Sequence, residues 1–452
     1  MQVTETLSDG LKREYKVVVP KSDLEAKLDS RLAEMKDRVQ LKGFRPGKVP
    51  VAHIKKIYGK SVMAEAIEAM VRETNAKIIA DNSLKLAMEP KVNLPENQDE
   101  IEKIIAGGSD LSYTVALEVL PAITLADFKT ISLERPVADV AEEEVDETLG
   151  RMAAQTRGYH PKGEGAAVEN EDKVTISFTG KLDGVPFEGG TGEDIGVNVG
   201  SKTFLPGFEE QLIGMKAGEN RTITVRFPNN YLSEQLAGKE ATFDVTAKSV
   251  EAPDTSVIDD ELAKKAGLES LEKLKEAVRE QLGRNHAVMS RNKLKRELLD
   301  KLDALHQFTP PPTMLEEEFT AVWSQVTGDL DANNKKFEDE GTTEEKAREE
   351  YRKIADRRVR LGLVLAEIGE KNSIKVSEDE LSRAVVDQAR QHPGQEQQVW
   401  DYYRKNPQAM GQLRAPLFEE KVVDFITELA TVTEKKVSRE ELFKQDDEQP
   451  AA

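Results

Sequence analysis

At 452 residues the chain is too long for one ordinary hydrophobic core, which sets an expectation of roughly two to four domains. Charged residues make up 33% of it against 38% hydrophobic, and the formal net charge is −20. Such a surface repels nucleic acid and anionic membranes wherever no local exception exists. The absence of cysteine excludes disulfides, thiolate metal sites and cysteine nucleophiles, and suits a reducing compartment. The opening Met1-Gln2-Val3-Thr4-Glu5 has no basic stretch followed by an apolar run. No segment approaches the roughly 20 apolar residues of a bilayer span. A cytoplasmic location is therefore expected, with no membrane partner.

Residues 11–19 read as a strand, with Tyr15, Val17 and Val19 on one face and Pro20 ending it. Ser22 and Glu25 have the spacing of a capping box that opens a helix. Leu24, Leu28, Leu32, Met35 and Val39 give that helix an apolar stripe. A second helix is predicted over 61–82, with Met63, Ile67, Met70, Val71 and Ile78 facing inward, and Leu111, Tyr113, Val115, Leu117 and Val119 alternate as a strand. Residues 1–120 are thus expected to form a small α+β domain whose two helices are joined by a Gly/Pro loop.

Residues 121–167 read as an extended and helical linker, with Pro121 and Pro136 bracketing its extended part and an acidic helix after it. From 168 to 253 the pattern turns to strands. Val174, Ile176 and Phe178 alternate, Asp183-Gly184 has the chemistry of a hairpin turn, and Thr222, Thr224 and Arg226 interleave with Ile223, Val225 and Phe227. Residues 254–452 read as almost entirely helical, interrupted by Pro310-Pro311-Pro312. Val422, Phe425, Ile426 and Leu429 form a stripe there, but heptads are not sustained, which argues against a long coiled coil.

The sharpest local signal is Gly43-Phe44-Arg45-Pro46-Gly47-Lys48-Val49-Pro50, in the loop between the first two helices. From Arg38 to Ala64 there are seven Lys/Arg and no Asp or Glu, a reversal of the chain's overall sign. Pro46 and Pro50 stiffen the loop and lower the entropy lost on docking, while Phe44 beside Arg45 and Lys48 makes an apolar and cationic tip. By composition alone, a solvated basic turn with Phe44 folded back on the helices fits equally well. The octapeptide resembles the ribosome-binding signature of the trigger factor family. That resemblance implies docking by Gly43, Phe44, Arg45, Pro46, Gly47 and Lys48 on a large-subunit protein and RNA at the tunnel exit.

The segment 168–253 resembles an FKBP-type prolyl isomerase along its whole length. The matching runs are Val174-Thr175-Ile176-Ser177-Phe178-Thr179-Gly180, Val185-Pro186-Phe187-Glu188-Gly189-Gly190, Phe204-Leu205-Pro206-Gly207-Phe208-Glu209 and Ala241-Thr242-Phe243-Asp244-Val245. Rotation about an Xaa-Pro bond faces a barrier of about 18–20 kcal/mol because the twisting amide loses resonance. Nothing is transferred, so the chemistry needs no acid, base, nucleophile or metal. A twisted amide is less polar than a planar one, and an apolar aromatic cavity favours it. Phe178, Phe187, Glu188, Ile195, Phe204, Leu205, Phe208, Tyr231 and Phe243 are the candidate site residues, with Tyr231 a possible donor to the substrate carbonyl. Read without the resemblance, aromatics on alternating strand positions more often fill a core. Phe208 stands where single-domain members commonly carry tryptophan and Glu188 where they carry aspartate, which puts binding of the macrolide inhibitor in doubt.

In the helical remainder, Trp400-Asp401-Tyr402-Tyr403-Arg404-Lys405-Asn406-Pro407 and Val432-Thr433-Glu434-Lys435-Lys436 are similar to the trigger factor C-terminal domain. The resemblance implies an all-α body with arms that cradles nascent and unfolded chains. Met314, Val322, Trp323 and Val326 are lining or core there. The five histidines are isolated in sequence, and Gly189-Gly190-Thr191-Gly192 follows no nucleotide-loop pattern, so no cofactor, metal or nucleotide is expected. The expectation is a multidomain α+β chaperone, ATP-independent, with an isomerase domain and a possible homodimer off the ribosome. The alternative is an isomerase whose flanks merely target it.

Overall fold

The computed structural model describes residues 1–36, 49–95, 98–163, 165–228, 231, 233, 236–333 and 335–444. The N-terminal unit comprises β1 (Gln2–Asp9), β2 (Lys12–Val19), α1 (Lys21–Lys36), α2 (Val51–Asp81), β3 (Lys91–Asn93), α3 (Gln98–Ile105) and β4 (Leu111–Glu118). Its antiparallel sheet has the order β1-β2-β4-β3. Tyr15, Val17 and Val19 from β2 are buried against Leu24, Leu28 and Leu32 of α1 and Ile54, Val62 and Met63 of α2. Full burial of each such aliphatic side chain contributes about 1.5–3 kcal/mol, and this shared face is what holds sheet and helices together.

Three local features differ from the sequence reading. No sequence periodicity marks β1, because all eight of its residues are exposed. The Ser22/Glu25 box is not used: α1 starts directly after Pro20, whose carbonyl accepts from Asp23 and Leu24, and the Lys21 N–H is taken by Asp110 at 2.9 Å. A carboxylate 89 residues away thus does the capping. Helix α2 begins at Val51, ten residues before the expected 61, because its first ten residues bury only Ile54 and so carry no visible stripe.

The linker supplies β5 (Ser132–Val137) and α4 (Glu142–Thr156). The next unit holds β6 (Tyr159–Pro161), β7 (Lys173–Leu182), β8 (Val185–Asn198), α5 (Phe208–Leu212), β9 (Asn220–Arg226) and β10 (Glu240–Pro253). Strand β10 is central: β7 pairs along one edge, while β9 and then β6 share the other. Asp183 and Gly184 both have positive φ, 51° and 82°, the geometry of the tight hairpin turn expected from those residues. Helix α5 packs Phe208 and Leu212 into the core made by Ile176, Val197, Ile223 and Val245.

The body comprises α6 (Asp260–Lys265), α7 (Leu271–Leu305), α8 (Pro312–Ala332), α9 (Glu344–Lys371), α10 (Glu378–Arg390), α11 (Glu396–Lys405), α12 (Pro407–Leu429), β11 (Thr431–Lys436) and α13 (Arg439–Phe443). Its core joins Leu298 and Leu302 of α7, Val364 and Ile368 of α9, and Val422 and Ile426 of α12. Phe128, Ile131 and Leu133 from the linker are buried in that same core, and β5 pairs in parallel with β11. The otherwise helical body therefore also carries a two-stranded sheet, built from residues 132–137 and 431–436. Among the described residues, no helix is long and apolar enough to cross a membrane.

Candidate active site

The aromatic cluster follows from strand register. Phe178 of β7 faces Val245 of β10, and Phe243 of β10 faces Gly180 of β7, so all four lie on one face of the sheet. Phe243 is the hub, with ring centroids 6.0 Å from Phe178, 6.0 Å from Phe187 and 5.5 Å from Phe208, each edge to face. Phe204 stacks on Phe208 at 5.3 Å.

Three glycines make the rings fit, Gly190 among them, where a Cβ would lie 2.8 Å from the Phe187 ring. A Cβ on Gly180 would lie 2.6 Å from the Phe243 ring and 2.8 Å from Phe187, and one on Gly192 would lie 2.7 Å from Phe178. The glycine-rich run around Gly192, which fits no nucleotide loop, is thus a flat seat for aromatic rings.

Burial grades from floor to rim. Phe208 and Phe243 are buried, Phe178, Phe187, Phe204 and Leu205 are half-buried against them, and Ile195 and Tyr231 are exposed. Phe227, read in the sequence only as alternating with Thr222, Thr224 and Arg226, also belongs here. Its ring lies 4.6 Å from Tyr231 and 6.0 Å from Phe187, and it lines a cleft of about 370 Å³ with Pro206, Arg226 and Pro228. Glu188, next along β8 from Phe187, is exposed. The candidate residues on the sheet and α5 are therefore brought together, with Glu188 outside the ring cluster. Among the described residues, apolar walls with the Tyr231 phenol and the Arg226 guanidinium at the edge suit an uncharged group entering from water.

A second cavity, of about 930 Å³, lies in the body between α7, α12 and the β5/β11 sheet. It brings together His286 and Ser290, but both imidazole nitrogens of His286 are engaged, Nδ1 with the Ala138 carbonyl and Nε2 with Glu144, each at 3.0 Å. No nitrogen is left to activate Ser290, so the pair is no nucleophile and base. On α8, Val322 is buried, and Trp323 stacks on Phe337 at 5.2 Å beneath the Arg348 guanidinium, which makes it packing within the α8/α9 hairpin. The six loop residues Gly43, Phe44, Arg45, Pro46, Gly47 and Lys48 lie outside the described residues.

Family models match the chain in three stretches: bacterial trigger factor protein over residues 1–152, FKBP-type peptidyl-prolyl cis-trans isomerase over 164–248, and the trigger factor C-terminus over 270–428. A trigger factor of Bradyrhizobium sp. strain BTAi1 is 58% identical over 452 residues, covering 100% of both chains. The chain belongs to the trigger factor family. The trigger factor of Azorhizobium caulinodans is 60% identical over 451 residues, again at 100% of both chains. A solved trigger factor chaperone, described for promiscuous substrate recognition in folding and assembly, superposes with a TM-score of 0.56 at 19% identity. It covers 95% of this chain and 99% of its own, and shows the same fold. As a trigger factor family chaperone, the protein has a ribosome-binding N-terminal domain, an FKBP-type isomerase domain inserted after the linker, and a helical C-terminal domain.

Proposed function

We propose that the protein docks at the exit tunnel of the large ribosomal subunit through the loop 43–48 and holds emerging chains open without ATP. It would turn over their Xaa-Pro bonds in the aromatic pocket. The observation that carries the docking is the basic stretch 38–64, seven cations without one acid in a chain of net charge −20. The flanks support it: Val49 is fully buried and pins the end of the loop, while Lys55, Lys56 and Lys60 are exposed along the start of α2. Arg45 and Lys48 pair with carboxylate or phosphate, and Phe44 buries an apolar face beside them.

For the isomerase, the proposed site is Phe178, Phe187, Ile195, Phe204, Leu205, Phe208, Tyr231 and Phe243, with Glu188 at its edge. Desolvation of the prolyl amide by these rings lowers the barrier, and the Tyr231 hydroxyl donates to the substrate carbonyl. Functional boundaries are proposed at 1–120, 121–167, 168–253 and 254–452, with the protein cytoplasmic and forming a homodimer when off the ribosome. The test is co-sedimentation with ribosomes of a Phe44→Ala, Arg45→Ala, Lys48→Ala chain whose circular dichroism matches wild type. Loss of pelleting is the expected result; undiminished pelleting would refute the docking loop.

A further inference from the structure

Next to Phe208 on α5, the carboxylate of Glu209 is buried, yet the five groups that converge on it include no formal cation. Its Oε2 accepts from the backbone N–H of Gly200 at 2.8 Å and of Lys202 at 2.9 Å. Its Oε1 accepts from the N–H of Thr203 at 2.9 Å, the N–H of Phe204 at 3.1 Å and the Ser201 hydroxyl at 3.1 Å. Four of the five amides from 200 to 204 turn inward, the Ser201 N–H alone going to the Asn198 carbonyl, and such a concave run of donors favours an anion at its centre. Here the loop bends through left-handed backbone at Gly200 and at Lys202, where φ is 56°. Burial alone would raise the Glu209 carboxyl, but the amides of Lys202 and Phe204 with the Ser201 hydroxyl outweigh it and hold the group below the ordinary glutamate value.

The residues leaving this loop are Phe204, stacked on Phe208, and Leu205, packed against the ring cluster. We propose that Glu209 is a positioning residue of the isomerase pocket, folding residues 200–204 around its carboxylate so that Phe204 and Leu205 form one wall. This rests on the isomerase reading above. The role is separable from keeping the domain folded, because α5 is already anchored by Phe208 and Leu212, both buried in the core. Glutamine at 209 keeps one acceptor oxygen and turns an NH₂ donor toward amides that are themselves donors, so the loop loses its centre.

The test is a double-mutant cycle in the full-length chain, E209Q with F204A, read as kcat/KM on a short Xaa-Pro peptide. E209Q is expected to lower kcat/KM about tenfold, and the double variant to be no slower than F204A alone, since Glu209 acts through that wall. Amide protons of Gly200, Lys202, Thr203 and Phe204 should exchange faster in E209Q, with those of Ile176 and Val245 unchanged. E209D, which keeps the charge, should recover part of the loss. Losses that multiply in the double variant, or an E209Q chain as fast as wild type, would overturn the role. If the core amides show that E209Q is unfolded, E209D takes its place in the same cycle under the same criteria. An inactive wild-type chain sinks the isomerase reading and this inference together; an active wild type beside an unaffected variant sinks this one alone.

Discussion

Glu118, at the end of β4, accepts both the backbone N–H of Thr313, at 3.1 Å, and its hydroxyl, and so caps the first turn of α8 across 195 residues of sequence. Helix α8 has no cap of its own, since Pro311 precedes it, and the Glu118 side chain is buried at the contact. The N-terminal domain is thereby fastened to the α8/α9 hairpin. A second contact, Lys85 with Glu370 of α9 at 2.7 Å, lies in the open. Glu118→Ala strands two donors, and the loss is expected to be about 1–2 kcal/mol. It should appear as faster amide exchange at Thr313 and a wider spread of spin-label distances between the two units. Lys85→Ala removes the ion pairs of a largely exposed ammonium with Glu370 and, at 3.5 Å, Glu367, and should change neither measurement. Wild-type exchange at Thr313 in the Glu118 variant would show that the units are held by something else.

Gly180 offers a sharper test of the pocket than deleting a ring. It lies within β7 beside an irregularity in the β7/β8 register, and its φ is not positive, so alanine there meets chiefly the steric obstacle of the Phe243 and Phe187 rings, 2.6 and 2.8 Å from the added carbon. Displacing two rings while leaving every aromatic in place is expected to cut kcat/KM for a prolyl peptide at least about tenfold. Phe187→Ala and Phe243→Ala should do the same by removing the wall. Three variants as fast as wild type would place the site elsewhere.

What the sequence makes legible is what periodicity encodes. The strand from Tyr15 to Val19, the strand from Leu111 to Leu117 and the Asp183-Gly184 turn all lie where alternation and turn chemistry put them. The aromatic cluster is legible because Phe178 and Phe243 occupy alternating positions of strands that pair. Relationships across long stretches leave no such trace. Nothing local in Asp110 says that it caps α1, nothing in Phe128 or Leu133 says that linker residues complete the body core, and β5 has no sign of its partner β11. Glu209 escaped for a related reason: four of its five donors are backbone amides, which every residue has and no sequence advertises.

Acid should loosen the body at a definable place. Glu380 is held down to about 2 by Lys421, then by the Ser377 amide and hydroxyl that complete its capping box. A carboxyl depressed in the folded state contributes stability that is complete above its ordinary value of 4.5 and is lost as pH falls toward the folded value. The junction of α10 with α12 should therefore weaken between pH 4.5 and about 2. Glu380→Gln should flatten the fall in thermal midpoint over that interval; an unchanged slope would assign the acid lability to other carboxyls.

The chain enters and leaves the isomerase sheet side by side. The Asp254 N–H donates to the Gly158 carbonyl at 2.9 Å, and Tyr159 pairs with Pro253. The domain is thus inserted through adjacent strands and buries its own core, so removing residues 159–253 and joining the ends leaves α4, α6 and α7 packed on one another. That shortened chain should still suppress aggregation of an unfolded protein and still pellet with ribosomes, while losing prolyl turnover. Loss of aggregation suppression with the fold intact would move client holding from the body to the isomerase domain.

Salt dependence separates the two kinds of contact proposed for the basic loop. Each phosphate neutralised by a cation releases condensed counterions, so log affinity falls with log salt by about 0.7–0.9 per contact. If Arg45 and Lys48 each meet a phosphate, either alanine variant should bind more weakly at low salt and show a slope shallower by about that amount. Phe44→Ala removes apolar burial only and should lower affinity at every salt concentration with the slope unchanged. Titrating ribosomes against labelled chain at several potassium concentrations measures all three. An Arg45 variant that weakens binding yet keeps the wild-type slope would direct that guanidinium to a protein carboxylate, since such a pair releases few condensed ions. A Phe44 variant with a shallower slope would mean that the ring holds the cations in place rather than burying itself.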